Sequence, residues 1–313
     1  MIEPNNLLSD ALLESRRFGL RVVHGAYDRL PVGDLRRALI AARADVAIIR
    51  VPTDAPDTMA SLQRLGLDFL VADTLVYYLS DLSKYEPLAL RNRDLVFSLA
   101  TDLNREELAA LVRVTFEGYR NHYFSNPLFT KEKILEGYEE WATSFITAGN
   151  DRQLWLVRRE GRLVAFAACS VAQGGDAAEG VLFAVDADAA GGGIYGDLIR
   201  FTQRQYRSRG CSKMYVSTQV HNYAVQKVWM REGFHMVSSW LTLHINALLS
   251  HSTRPIEEFD LAVTPDLIAS YAETTGDRNP IHLDDGAAKR AGLRGAARRT
   301  VARLAEWDLW PVE

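Results

Sequence analysis

Residues 191–193 are three consecutive glycines that separate an apolar run at 180–186 from an amphipathic run at 194–210. Glycine allows backbone conformations with positive φ, so that successive N–H groups can converge on an anion. A helix that begins at residue 194 would direct the positive end of its dipole to the same point. The pattern predicts a binding loop for a phosphate or pyrophosphate, and a plain turn between a strand and a helix is the alternative.

Glu179 stands just before this apolar run and is a candidate general base. A carboxylate at such a position could accept a proton from a nucleophile, directly or through water. An exposed surface carboxylate is the alternative reading. Cys169, by contrast, lies in an apolar run at 163–172 and is predicted to be a small core residue and not a nucleophile.

The segments around the loop alternate between helix-like and strand-like patterns. Helical spacing and capping residues predict helices at 33–44, 57–66, 104–119, 131–146, 194–210 and 222–233. Apolar, β-rich runs predict strands at 18–27, 45–52, 67–82, 94–101, 153–160, 163–172, 180–186, 213–218 and 234–245. This alternation predicts an α/β (α+β) fold in which the glycine loop connects a buried strand to a helix.

Composition divides the chain into three regions. The polar stretch at 83–94 contains a proline and predicts a boundary. We therefore expect an N-terminal α/β domain at 1–90, a second domain at 91–248 and a short helical appendage at 249–313. The second of these contains the glycine loop and the candidate base.

Charge and cysteine content narrow the classes of function. The net charge is -4, so no broad basic surface is expected and we predict no nucleic-acid partner. No run reaches the roughly 18 apolar residues of a membrane span, and the N-terminus is unlike a signal peptide. The two cysteines cannot form a disulfide framework, and a cytoplasmic location is expected. No Cys or His spacing supports a metal site.

The order of elements around the loop resembles the GNAT acetyltransferase superfamily. A strand, the glycine loop, a helix, a strand, a helix led by Asn222 and ended by Gly233-Phe234, and a final strand follow one another. The resemblance implies acetyl-CoA or another acyl-CoA as co-substrate, with the pyrophosphate on the loop and pantetheine along the preceding strand. The coenzyme-binding residues it implies are Phe183, Val185, Gly191, Gly192, Gly193, Ile194, Tyr195, Gly196 and Asn222.

The loop and the second helix depart from the family pattern at three positions. Ala190 stands where the family has Arg or Gln, and Tyr195 stands where it has a final Gly or Ala. Trp229 replaces a tyrosine that often protonates the leaving thiolate, and an indole cannot do so at pH 7. Either Tyr223 or water then protonates the thiolate, or the step needs no acid. The catalytic candidates are accordingly Glu179, Tyr223 and Trp229.

A closer resemblance covers residues 12–246 and includes the strings TFEGYRNHYFSNPLF and TQVHNYAVQKVWMREGF. It is to nucleotide-aminosugar N-acyltransferases related to TDP-fucosamine acetyltransferase, in which a degenerate N-terminal half precedes the GNAT domain. It implies an amine acceptor, a nucleotide-linked aminosugar. Asn121, His122, Tyr123 and Trp141 would flank the acceptor, with loop capping and ring packing as the alternatives. The oligomeric state stays open, with a homodimer as one option.

The string GDRNPIHLD at 276–284 resembles the active-site segment of MaoC-like enoyl-CoA hydratases of hot-dog fold. The resemblance implies that Asp277 and His282 activate water and that Asn279 positions the loop. Residues 249–313 are too few for a whole hot-dog domain, and we expect this piece to be an inactive remnant or an appendage.

The sequence therefore predicts an acyl-CoA-dependent N-acyltransferase acting on an amine, in a GNAT fold with a degenerate N-terminal α/β half. Two alternatives remain open. One is an enzyme related to enoyl-CoA hydratases, or a fusion with one. The other is a GNAT-like module that binds coenzyme A without catalysis.

Overall fold

The computed structural model describes residues 7–55, 57–146 and 151–251, a few single positions, and residues 284–290. The hydratase-like residues Asp277, Asn279 and His282 lie outside the described residues. Within the described ranges, no helix is long and apolar enough to cross a membrane.

Ten strands, eight α-helices and four short 3₁₀ helices have defined bounds in this part of the chain. The strands are Ser9–Asp10 (β1), Val22–Ala26 (β2), Val46–Pro52 (β3), Asp68–Asp81 (β4), Leu95–Leu99 (β5), Arg152–Arg159 (β6), Arg162–Val171 (β7), Ala177–Val185 (β8), Lys213–Gln219 (β9) and His235–Asn246 (β10). The helices are Leu12–Phe18 (α1), Val32–Ala42 (α2), Thr58–Leu65 (α3), Arg105–Phe116 (α4), Lys131–Thr143 (α5), Ile194–Ser208 (α6), Tyr223–Arg231 (α7) and Asp285–Arg290 (α8). The mixed α/β fold expected from the sequence is confirmed.

One sheet joins the N-terminal and C-terminal regions. Its strand order is β1-β2-β3-β10-β4-β9-β8-β7-β6-β5. The last strand, β10, is inserted between β3 and β4, and β4 in turn pairs with β9. Strands from both sides of the boundary expected at residue 90 therefore belong to the same sheet.

By internal contacts, residues up to 62 together with 67–251 form one compact unit. Residues 63–66 and 252–313 form a second unit, in which α8 is the described helix. The appendage expected from residue 249 thus begins close to the end of the first unit at His251.

The strand expected at 18–27 is shorter than the sequence suggested, because a helix precedes it. Helix α1 ends at Gly19, which adopts a left-handed conformation with φ of 70° and donates its N–H to the Ser15 carbonyl. Glycine takes this conformation without the steric penalty of a Cβ atom. The chain then turns, and β2 begins at Val22.

The C-terminal region buries apolar side chains on both faces of the sheet. Because side chains alternate along β7, Ala165 and Ala167 contact one layer while Phe166 and Ala168 contact the other. The first layer contains Leu198 and Tyr206 of α6, and the second contains α4 and the residues around α5. Each fully buried large side chain contributes about 1.5–3 kcal/mol. This packing holds α6 and the loop before it against β8.

Candidate active site

A split between two parallel strands is the central feature of the site. Strand β8 pairs with β9 only through Ala177–Gly180, opposite Lys213–Val216. Beyond this point β8 continues to Val185 along β7, while β9 continues to Gln219 along β4. A Cβ atom at Gly180 would lie 3.0 Å from the Val216 side chain, so glycine permits the close packing where the strands diverge. Backbone groups of β8 after Gly180 therefore have no partner in β9.

A cavity of about 1180 Å³ opens at this split. Its walls include β8 from Glu179 to Val185, the end of β9, and Tyr195 at the start of α6. It continues to His24 and Arg50 of the N-terminal region. A volume of this size exceeds the roughly 300–1,000 Å³ of common small-ligand pockets, which leaves room for two ligand parts in one space.

The glycine loop lies directly before α6. Gly191 and Gly193 have φ of 82° and 84°, values that favour glycine strongly. A Cβ atom at Gly191 would meet no atom within 4 Å, so its surroundings are open. Gly193 is the residue before the first helical position, Ile194, whose side chain is buried in the core. The loop thus presents backbone N–H groups and the N-terminus of a 15-residue helix.

Residues from a distant part of the sequence hold this loop in place. The buried carboxylate of Asp197 accepts hydrogen bonds from the backbone N–H groups of Arg91 and Asn92, at 2.7 and 2.8 Å. Asn92 Nδ2 also donates to the Gly192 carbonyl at 3.0 Å. Arg91 Cδ would lie 3.3 Å from a Cβ atom at Gly193. The stretch at 83–94, expected to be a boundary, therefore contributes to the loop site.

Two arginines add positive charge next to the loop. Arg91 is exposed beside Gly193. Arg159 lies near Gly192, donates to Asn92 Oδ1 at 2.9 Å, and pairs with Asp94 at 2.7 Å. The sequence did not indicate that either arginine lies near the loop. Both belong to segments far from the loop along the chain, and only the folding of the sheet brings them close to it.

Glu179 faces the cavity from the last paired positions of β8, opposite Ser170 and Tyr215. Burial raises the pKa of its carboxyl above the ordinary value, and the charge of Arg50 opposes that rise. Its side chain is nevertheless solvent-exposed, as the alternative reading expected. A carboxylate with a raised pKa that lines a cavity is a stronger base than one with the ordinary pKa. Glu179 was expected just before the strand and is in fact part of β8.

The two aromatic candidates for the thiolate step occupy different environments. Trp229 is buried, lines the cavity, and packs near Tyr78 and Phe234. Its indole N–H forms no well-aligned hydrogen bond with a described residue, although it acts on the nearby Tyr195 hydroxyl and opposes the rise of the pKa of that group. Tyr223 is 66% exposed and does not line the cavity. Tyr223 is therefore poorly placed for chemistry inside the cavity.

Some of the remaining residues expected to bind the coenzyme line the cavity, and others lie in the loop or in α6. Phe183, Val185, Tyr195 and Asn222 line the cavity. Asn222 donates from Nδ2 to Thr218 Oγ1 at 3.0 Å, which ties the start of α7 to the end of β9. Gly196 lies further along α6, and a Cβ atom there would lie 3.4 Å from Glu232 Oε1. Gly192 is exposed in the loop itself.

The four residues expected near the acceptor all line the cavity: Asn121, His122, Tyr123 and Trp141. Asn121 is buried, caps the short helix His122–Ser125 through the Tyr123 N–H, and donates to the Tyr138 hydroxyl at 2.9 Å. His122 Nδ1 lies 2.9 Å from His244 Nε2. Asn121 therefore has the capping role that was the alternative to an acceptor contact, and it also lines the cavity.

Three residues at the cavity were not anticipated from the sequence: Tyr119 and Arg50 line it, and His244 is buried behind His122. Tyr119 donates its hydroxyl hydrogen to Gln219 Oε1 at the end of β9, and burial raises the pKa of that hydroxyl. His244 and Arg50 belong to strands β10 and β3. Because polar and apolar residues alternate along these strands, the sequence indicates that His244 and Arg50 face one side of a sheet. It does not indicate what that side of the sheet faces.

Comparisons with known proteins agree with this geometry. Residues 108–234 match the acetyltransferase (GNAT) family model, and residues 249–298 match the model of the MaoC like domain. No curated protein matches the chain.

Solved structures with the same fold include a GCN5-related N-acetyltransferase from Sphaerobacter thermophilus, with a TM-score of 0.52 and 12% identity over 76% of this chain and 74% of that one. A tandem GNAT protein from the clavulanic acid biosynthesis pathway has a TM-score of 0.52 and 15% identity, over 72% and 75%. A conserved protein of unknown function from Staphylococcus epidermidis has a TM-score of 0.50 and 10% identity, over 72% and 84%. At these identities the similarity shows a shared fold. The chain has a GNAT-like fold, its residues 108–234 are similar to the acetyltransferase (GNAT) family, and its residues 249–298 are similar to the MaoC like domain.

Proposed function

We propose that this chain is an acyl-CoA-dependent N-acyltransferase that moves an acyl group from coenzyme A to an amine. The observation that carries the proposal is the split between β8 and β9, with a large cavity at the split and a glycine loop at the start of α6. The split leaves backbone donors and acceptors free for an extended ligand. The loop offers N–H groups for a pyrophosphate.

In this proposal the coenzyme follows α6, β8 and α7. Its pyrophosphate binds the N–H groups of residues 191–196, and Arg91 and Arg159 supply the cations that Ala190 does not. The pantetheine arm extends along β8 at Phe183 and Val185, and Asn222 contacts it from the other side. The open space at Gly191 and the unpaired backbone of β8 support this fit.

The transfer step uses Glu179 as general base. The acceptor enters as an ammonium, and Glu179 takes one proton from it. The neutral nitrogen then attacks the thioester carbonyl, a C–N bond forms, and a backbone N–H of β8 stabilises the oxyanion. As the carbonyl re-forms, the C–S bond breaks. The second proton leaves the nitrogen and ends on the thiolate sulfur, while Glu179 returns the first proton to solvent.

No dedicated acid is needed for the thiolate. A thiol with a pKa near 8.5 is a good leaving group at neutral pH, and the proton released by the nitrogen is available to it. This accords with the exposure of Tyr223 and with Trp229 in the place of the family tyrosine. We assign Trp229 a packing role beneath the cavity.

For the acceptor we propose a nucleotide-linked aminosugar, and acetyl-CoA or a longer acyl-CoA as donor. The resemblance of residues 12–246 to nucleotide-aminosugar acyltransferases supports this choice. The extent of the cavity into the N-terminal region is consistent with an acceptor larger than a simple amine. A homodimer remains part of the same proposal and is tested by the mass of the protein in solution.

The test has two steps. Thermal unfolding is first followed with acetyl-CoA and longer acyl-CoAs, since a ligand at 100 times its Kd should stabilise the protein by about 2.7 kcal/mol. Release of free thiol is then measured with nucleotide-linked aminosugars as acceptors. Stabilisation without thiol release from any amine would favour the inactive coenzyme-binding module. The absence of stabilisation by every acyl-CoA would refute the proposal.

A second candidate function rests on the match of residues 249–298 to the MaoC like domain. If this segment hydrates enoyl-CoA, the protein should consume crotonyl-CoA, and Asp277→Asn should abolish that loss of enoyl absorbance. We expect no hydration, and transfer to an amine in the Asp277→Asn variant equal to that of the wild type. Hydration that disappears in Asp277→Asn would show that the segment is catalytic.

A further inference from the structure

Arg50 is a cation without a partner on a wall of the cavity. It lies on β3, which is paired on both sides, by β2 and by β10. Its guanidinium forms no salt bridge or hydrogen bond with any of the described residues, although Arg50 lines the cavity. The acid Glu14 at the same end is already engaged by the Tyr123 hydroxyl at 3.2 Å and by His24 at 3.5 Å. The charge of Arg50 also acts on the carboxyls of Asp73 and Glu179, but neither forms an ion pair with it. A half-buried guanidinium in this position is without the contacting anion that usually accompanies it.

A chain of hydrogen bonds next to Arg50 determines which nitrogen of each histidine carries a proton. The backbone N–H of Leu128 donates to Asn126 Oδ1 at 3.1 Å, so the amide nitrogen of Asn126 must face the other way. That nitrogen lies 3.2 Å from His244 Nδ1 and donates to it. His244 Nδ1 is therefore an acceptor, and the proton of the neutral ring is on Nε2.

The same reasoning continues one residue further. His244 Nε2 lies 2.9 Å from His122 Nδ1, so it donates to that atom. His122 then carries its proton on Nε2. No described residue accepts a hydrogen bond from this N–H, and His122 lines the cavity. His122 is consequently a hydrogen-bond donor to the cavity and cannot act as a base there without reversing the whole chain.

Both rings stay neutral at neutral pH. Burial lowers the pKa of His122 well below its ordinary value, and His244, Arg50 and His24 lower it further. Burial lowers the pKa of His244 to about 4. The chain of donors from Leu128 to His122 is thus maintained across the physiological range.

We propose that Arg50 and His122 form a subsite for an anionic oxygen group of the acceptor, a carboxylate or a phosphate. The guanidinium supplies charge and two or more donors, and the imidazole supplies one donor of fixed direction. The acceptor is then an amine that also carries an acid group, with the amine at Glu179 and the acid at Arg50. Arg50 is close enough to influence the Glu179 carboxyl, so both groups belong to one compact ligand part. This inference rests on the proposed function for the identity of the ligand.

The subsite is tested first by binding, without turnover. Thermal unfolding and calorimetry are carried out with coenzyme A at saturation, so that the glycine loop is not available to added anions. Sodium phosphate and sodium acetate are the probes, at matched ionic strength with sodium chloride. The variants are Arg50→Gln, Arg50→Lys and His122→Phe. Arg152→Gln is the matched control, because Arg152 also lines the cavity but lies 4.0 Å over the Phe145 ring and donates to Ser144 Oγ.

We expect one of the two anions to stabilise the wild type and Arg152→Gln. Its affinity should fall by at least about 10-fold in Arg50→Gln, by less in His122→Phe, and should recover in part in Arg50→Lys. The preferred anion identifies the acid group of the acceptor. Anion effects that are absent, or equal in all variants, would overturn the subsite.

Acceptor kinetics provide a second and independent readout. Glucosamine, glucosamine 1-phosphate and glucosaminuronic acid differ only in their acid group. Arg50→Gln should raise KM for the matching charged acceptor and leave KM for glucosamine unchanged. A shift of the pH profile alone, without any change in preference, would mean that Arg50 acts only on Glu179. Failure of coenzyme A to bind at all would instead count against the proposed function.

Discussion

The two ends of the cavity are made from different chemical groups. At the split end the site is made of backbone atoms of β8 and of the glycine loop at 191–193, where Gly191 and Gly193 have positive φ that favours glycine. At the other end, side chains such as Arg50 and His122 form the wall. A backbone site depends on the course of the chain and tolerates many side chains, whereas a side-chain site changes with single substitutions.

This difference agrees with the positions at which the sequence departs from the GNAT loop pattern that it resembles. Ala190 and Tyr195 replace usual loop residues, yet the loop keeps its glycine conformations and gains two arginines from elsewhere. The end of the cavity at Arg50 and His122, called the far end, has no second set of groups that could replace a lost one. Its hydrogen bonds form a single chain from Leu128 to His122. We therefore expect the split end to determine the donor and the far end to determine the acceptor.

The largest effect is expected from Glu179→Gln. If Glu179 is the base, kcat should fall by about 10²–10⁴-fold with little change in acyl-CoA affinity. The raised pKa predicts that wild-type activity declines as the pH drops through a value above the ordinary carboxyl pKa of about 4.3, and the variant should lose this limb. Glu140→Gln is the control, since Glu140 lines the cavity but pairs with Arg17. Equal losses in both variants would contradict the assignment.

The next effect concerns the stability of the far end. The pKa of His244 is about 4 in the folded protein and near 6.5 in an unfolded chain, so the unfolded state binds the proton first. The stabilisation is present above pH 6.5 and is lost as the pH falls toward 4. The loss amounts to roughly 3 kcal/mol, and His244→Gln should not show this pH-dependent loss. Urea unfolding between pH 7 and 4 measures the difference, with His235→Gln, exposed on the same strand, as the control.

A smaller effect is expected at the glycine loop. Gly193→Val places a β-branched residue at φ of 84° and a Cβ atom 3.3 Å from Arg91, so the loop should relax away from its binding conformation. Restoring it costs about 1–2 kcal/mol, a factor of roughly 5–30 in acyl-CoA affinity. Gly210→Val is the matched control, with φ of 91° just past the other end of α6 and open space around it. Calorimetry that gave normal binding in Gly193→Val would refute the loop assignment.

The smallest effect is expected at Trp229. Trp229→Phe removes part of a buried side chain, so it should cost about 1–2 kcal/mol of stability. It should retain most turnover, because the indole N–H forms no well-aligned hydrogen bond with a described residue. Trp229→Tyr would raise turnover if protonation of the thiolate limits the rate. A large loss of turnover in Trp229→Phe, with normal unfolding, would assign the N–H a part in the reaction.

The sequence was most informative where local rules govern structure. The helix at 194–208 and its glycine loop were evident from spacing and glycine content, because both depend on backbone conformation within a few residues. Helix α1 was missed, since its seven residues are too few to show a periodic pattern. Glu179 could be singled out by its place near the glycine run, but its exposure to a cavity could not.

The sequence by itself determined the element types, the glycine loop and the GNAT-like order of the C-terminal region. Only the tertiary structure decided that β10 enters between β3 and β4 and that residues 91 and 92 support the loop before α6. It alone placed Arg50 and His122 on the wall of the same cavity as Glu179. The reason is that strand pairing over such separations depends on the packing of the whole sheet, and a strand pattern specifies two faces but not its neighbours.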